Sequence, residues 1–79
     1  MMSDIKLNAI YQHYKGNIYF VEEIAICTET EQEMVVYRDL YHPEKVWVRS
    51  LENFLEPTSD GQIRFKKLYE GGYASVTQR

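Results

Sequence analysis

Residues 18–28, Ile-Tyr-Phe-Val-Glu-Glu-Ile-Ala-Ile-Cys-Thr, constrain the fold more than any other stretch of the chain. They are β-branched and aromatic, which suits a pleated, half-buried surface, and they read as one long strand. Within that strand the alternation slips. Tyr19 and Val21 occupy odd positions, whereas Ile24 and Ile26 occupy even ones, with Glu22-Glu23 between them. One extra residue in a strand produces such a change of phase, so a β-bulge or sharp bend is predicted near Glu22-Glu23. Small barrels need such bends to close.

The flanking pattern supplies partners for this strand. Residues 7–14 read as a first strand, ended by Lys15-Gly16-Asn17, a turn with two residues that tolerate positive φ. The polar segment 29–32 is short enough for a hairpin. Residues 33–41 form a third strand, with Met34, Val36 and Leu40 at even positions and Val35, Tyr37 and Tyr41 at odd ones. His42-Pro43-Glu44-Lys45 makes a turn, and residues 46–49 a fourth strand, antiparallel to the third. Ser50 followed by Leu51, Phe54 and Leu55, with Pro57 soon after, predicts one capped helical turn of 3₁₀ type. Ser59-Asp60-Gly61 is the last turn, and residues 62–68 the last strand, with Ile63 and Phe65 on one side.

Five short strands with a helical turn before the last predict an all-β fold, a small five-stranded SH3-like barrel. The nearest rival is an OB-type barrel, which usually carries a longer helix than this chain offers. A chain of 79 residues has room for one thin core. That core is expected to contain Ile10, Val21, Ile24, Ile26, Val36, Leu40, Val48, Leu51, Phe54 and Phe65. Residues 1–6 read as a flexible leader, 7–69 as the barrel, and 70–79 as a flexible tail that docks through Tyr73 and Val76.

In this order the pieces resemble a bacterial family of short proteins filed as a domain of unknown function, family 1653. The resembling residues begin with Tyr11-Gln12-His13-Tyr14-Lys15-Gly16-Asn17-Ile18-Tyr19-Phe20-Val21, Ile24-Ala25 and Thr28-Glu29-Thr30. They continue with Val35-Val36-Tyr37-Arg38-Asp39-Leu40-Tyr41, Trp47-Val48-Arg49, Leu51-Glu52-Asn53-Phe54, Asp60-Gly61 and Arg64-Phe65. The family pattern has Pro where this chain has Ser50 and tends to have Gly where it has His42; both positions lie in turns. The resemblance implies a small β-barrel and leaves its function open.

Chemistry-bearing residues are sparse. Cys27 sits beside Ile26 without a helix N-terminus or a neighbouring cation in sequence, so a buried, unreactive thiol is expected. Its distance in sequence from His13 and His42 matches no zinc pattern. No phosphate-cradling glycine loop is present. These readings argue against an enzyme, and no cofactor or metal is expected. No run approaches a membrane span, no secretory signal is visible, and a lone Cys suits the cytoplasm, so no membrane partner is expected.

Aromatic content is higher than usual, with seven Tyr, three Phe and one Trp. Tyr and Trp interleaved with Arg mark binding surfaces, because they combine large rigid contact area with a polar tip. Tyr14, Lys15, Tyr37, Arg38, Tyr41, Trp47 and Arg49 are therefore the candidate ligand-binding residues. Parity puts Tyr37, Tyr41, Trp47 and Arg49 on one face and Arg38 on the other. Core packing with ordinary ion pairs is the competing reading of the same residues. A protein or peptide partner is expected. The alternative is RNA or single-stranded nucleic acid, stacked on Tyr37 and Trp47 with Arg38, Arg49, Arg64, Lys66 and Lys67 on phosphates. Net charge is −3, which argues against indiscriminate nucleic-acid binding. Oligomeric state is not legible.

Overall fold

A computed structural model describes residues 5–70. Five strands, β1 (Ala9–His13), β2 (Ile18–Ile26), β3 (Glu33–Asp39), β4 (Val46–Ser50) and β5 (Phe65–Glu70), form one antiparallel sheet. Their order is β4-β3-β2-β1-β5. A single helical turn, α1 (Leu51–Leu55), leads from β4 toward β5. The fold is all-β, as the alternation predicts.

The slip in β2 is a bulge. Val21 opposes Tyr37 and Glu23 opposes Val36, so Glu22 is the extra residue. Its carboxylate pairs with the Arg38 guanidinium. A second irregularity separates Ile10 from Tyr11 where β1 meets β5. Together these bends curl the sheet. Laid flat, four strand spacings would hold β4 and β5 roughly 19 Å apart. Instead the guanidinium carbon of Arg49, on β4, lies 5.2 Å from the ring centroid of Phe65, on β5. The two edges meet through side chains without backbone pairing. The expected barrel is thus an open, curled sheet.

The inner face holds Ala9, Tyr11, Val21, Val35, Tyr37 and Phe65, with Leu51 and Phe54 supplied by α1. Phe54 stacks on Phe65 at 4.0 Å between centroids and meets Tyr11 and Tyr37 edge-on at 5.5 and 5.8 Å. The Ser50 hydroxyl caps α1 by accepting the Asn53 N–H at 3.1 Å. With that donor satisfied, the segment closes as a five-residue α-turn rather than the expected 3₁₀ turn.

Several expected core residues lie elsewhere. Opposite Val21, β3 turns Tyr37 inward, and Val35 and Asp39 follow by alternation. Val36 and Leu40 are consequently half-buried on the outer face. Val48 opposes Val36 and is exposed, as is Ile26 at the end of β2. Ile63, read as sharing a side of the last strand with buried Phe65, precedes β5 and is exposed. Ile10 is buried, paired with Phe20 on the outer face rather than in the inner cluster. Asp39 is buried because it closes the strand end. Its Oδ1 accepts the N–H groups of Tyr41 and His42, both at 3.0 Å.

Of the expected leader, Ile5 packs against the core and the Lys6 N–H donates to the Tyr11 hydroxyl at 3.0 Å. The first four residues and the tail from residue 71, with Tyr73 and Val76, lie outside the described residues.

Candidate functional site

The curl brings side chains from four strands to one mouth on the inner face. Tyr37 and Trp47 are direct cross-strand partners, as are Val35 and Arg49, so Trp47 and Arg49 share the inner face. Tyr37 is only 5% exposed and packs edge-on against Tyr19 at 5.0 Å and Phe65 at 5.6 Å. Its hydroxyl accepts from Arg49 Nε at 3.2 Å, and Asn53 Oδ1 accepts from another Arg49 nitrogen. Arg49 is therefore half-buried among neutral partners, over the Phe65 ring, with no carboxylate partner among the described residues.

His13 occupies the other side of the mouth, 4.8 Å from the Phe65 ring and 4.6 Å from Tyr14. Its Nδ1 accepts the Lys15 N–H at 3.2 Å, which fixes the proton of the neutral ring on Nε2. Burial holds the His13 pKa below the usual histidine range, and the charges of Arg49, Lys15 and Arg64 lower it further. Three cations thus act electrostatically on one ring. Tyr19 is pushed up by burial, with the neighbouring Tyr37 and Asp39 adding to the effect and Arg49 opposing it.

The seven residues predicted from sequence separate into groups. Trp47 and Arg49 stand together at the mouth. Tyr14 and Lys15 form the adjacent turn, where the Lys15 ammonium sits 5.8 Å from the Tyr14 ring centroid. Tyr37 belongs to the core beneath them rather than to an exposed patch, because its ring is inside the curl. Arg38 faces away. Its guanidinium bonds Glu22 and, at 2.6 Å, the Pro43 carbonyl. Tyr41 lies beyond β3 and is exposed. His13, Tyr19 and Arg64 complete the mouth. His13 shares the parity of Tyr11 along β1, and that was the signal available for it.

Two further features bear on chemistry. Strand β4 is an edge paired with β3 alone, and Val46, Trp47 and Val48 are 45%, 46% and 62% exposed. Cys27, expected to be buried, is half-exposed just beyond β2. Hydrogen bonds from the Thr30 side chain and from the Thr30 and Glu29 backbone lower its pKa. The β2–β3 turn is closed by the Glu31 N–H on the Cys27 carbonyl at 2.7 Å. Among the described residues no three His, Cys, Asp or Glu side chains converge as metal ligands, and no helix is long and apolar enough to cross a membrane.

A five-stranded antiparallel sheet curled around one aromatic core, with a capped helical turn before its last strand, defines a small SH3-like β-domain. The chain belongs to the family described as a protein of unknown function, DUF1653, whose profile matches residues 9–67. It is similar to a protein of that family from Bordetella bronchiseptica whose crystal structure is known. The two are 32% identical with a TM-score of 0.70, covering 85% of this chain and 91% of that one. No protein of curated function matches the chain.

Proposed function

We propose that the protein is a non-catalytic cytoplasmic module that captures an extended peptide as an added strand on β4. One observation carries this reading, the contrast between the two sheet edges. Natural edge strands are blunted by lysine, proline or bulges, which prevent unwanted pairing. Strand β5 follows that rule, with Lys66, Lys67 and an irregular register against β1. Strand β4 does not. Its sequence Val-Trp-Val-Arg-Ser has no lysine, proline or bulge, and its pairing with β3 is regular. Its one charge, Arg49, is turned inward and held by Tyr37 and Asn53. A peptide on this edge gains main-chain hydrogen bonds, while side-chain alternation supplies specificity. On the inner side it meets Trp47 and Arg49, which favour an apolar or aromatic group beside an acidic one. On the outer side it meets Val46 and Val48.

Selection from a displayed library of random peptides, followed by amide-shift mapping, tests the proposal. Enriched peptides are expected to alternate apolar and acidic residues and to perturb β4. Val48→Lys and Trp47→Ala should abolish capture while changing stability by less than about 1 kcal/mol. Arg49→Ala is the wrong probe, since its guanidinium also holds Tyr37 and Asn53. Peptides still retained by Val48→Lys, or shifts confined to other strands, would refute it.

The convergence of Lys15, Arg49 and Arg64 beside exposed aromatic rings favours a second reading, single-stranded nucleic acid. Salt separates the two. Oligonucleotide affinity should fall steeply with ionic strength, whereas strand addition should respond weakly.

A further inference from the structure

A second concavity adjoins the mouth, sharing Arg64 and Phe65 with it, and lies away from the β4 edge. It is a groove of about 320 Å³ between α1 and β5, whose lining includes Lys6, Arg64, Lys66 and Lys67. Buried Tyr11, Phe54 and Phe65 make its floor, and exposed Leu55 and Ile63 its apolar walls. Exposed apolar side chains beside a ring-lined floor are suited to covering hydrocarbon. Four cations stand around them.

We propose that this groove binds a small amphipathic oxyanion, a ligand with an apolar body and a terminal carboxylate or phosphate. Charge complementarity carries the proposal. Four of the nine Lys and Arg of an acidic chain meet at this one groove. Arg64 is preorganised there. Its Nε–H donates to the Glu56 carbonyl at 3.1 Å and one Nη2–H to the Pro57 carbonyl at 3.4 Å, which leaves part of its five-donor fork for an anion. Lys66 forms no ion pair among the described residues.

The remaining pair shows how an oxyanion is received. Lys67 bonds the Glu70 carboxylate. That bond and the charges of Lys67 and Lys6 hold the Glu70 carboxyl below its usual range, so it is ionised at neutral pH. Glu70, outside the groove lining itself, holds Lys67 as the ligand's oxyanion would, and a bound ligand displaces it from Lys67. Removing its charge should therefore strengthen binding, an effect that loss of a merely structural ion pair would not produce.

Titration of the isotope-labelled chain with octyl phosphate and with octanoate, both below their micellar concentrations, tests this. Saturable amide shifts are expected at Leu55, Ile63 and Lys66 with at least one of the two, while the Trp47 indole is unmoved. Octanol and inorganic phosphate should each bind about tenfold more weakly or less, because each offers half of the recognised chemistry. The Lys66→Gln/Lys67→Gln double variant should lose about tenfold in affinity, and Glu70→Gln should gain, with the rest of each spectrum unchanged. Octanol binding as tightly as the anions would overturn the proposal. So would weaker or unchanged binding by Glu70→Gln, or the absence of saturable shifts. Failure at the β4 edge would leave this result untouched, since the two sites share no residue.

Discussion

Cys27 takes its character from the turn that follows it. The turn after β2 places the Thr30 hydroxyl and the N–H groups of Glu29 and Thr30 around the sulfur, so the thiolate is stabilised by hydrogen bonds rather than by cations. Gln32 completes the turn, its N–H donating to the Thr30 oxygen at 3.2 Å. Nucleophilicity follows the thiolate fraction and access, and both are favourable here. Iodoacetamide is expected to label the native protein readily near neutral pH, and Thr30→Val should slow the reaction without unfolding the domain. Labelling that needs denaturant would show instead that the sulfur is shielded. Sequence placed this residue within the long strand and buried, whereas it lies just beyond β2 and is half-exposed. The hydrogen bonds come from a turn whose geometry includes a positive φ at Glu31, which no apolar pattern records.

At the scale of elements, the bulge and the cap were legible because each has a local cause. A change of parity at Glu22-Glu23 requires an inserted residue, and Ser50 ahead of Leu51 and Phe54 spells a capped turn. The orientation of β3 was not legible. Met34, Val36 and Leu40 offer one apolar face and Val35 and Tyr37 another, so alternation could not choose between them. The choice is made by long-range pairing, which sets Tyr37 opposite Val21 and Trp47. The buried face even includes Asp39, whose carboxylate serves the following turn. The same pairing explains why Val48, which reads as core, is instead exposed with Val46 on the outer side of an edge. Val35→Ala should accordingly cost about 1.5–3 kcal/mol, the range for a fully buried aliphatic side chain, and Val36→Ala clearly less. Denaturant titration of the two variants checks this. Equal losses would mean that β3 does not prefer the assigned face. Of the candidate site, Trp47 and Arg49 were legible as a pair on one face; the joining of His13 and Arg64 to them depends on the curl.

Across the whole molecule, charge is segregated. Glu22, Glu23, Glu29, Glu31 and Glu33 belong to β2, β3 and the turn between them, whereas Lys15, Arg49 and Arg64 gather around His13. An acidic chain therefore carries a cationic mouth, and His13 reports its field. Burial and the three cations both favour the neutral ring, so the folded-state pKa lies below the ordinary value of about 6.5. The unfolded chain then binds the proton more readily. Stability from this group is fully present above about pH 6.5 and is lost as pH falls toward the folded pKa. Replacing His13 with Gln should flatten that part of the stability profile and leave losses at lower pH to carboxylates such as Asp60 and Glu70. Salt divides the two causes. Raising ionic strength to about 0.5 M shortens the screening length to a few ångströms and weakens the cations, but it leaves burial unchanged. An NMR titration of the His13 ring should therefore give a pKa that rises with salt yet stays below the ordinary histidine value. A pKa indifferent to salt would mean that the cations do not act on the ring, and the cationic mouth would lose its main electrostatic support.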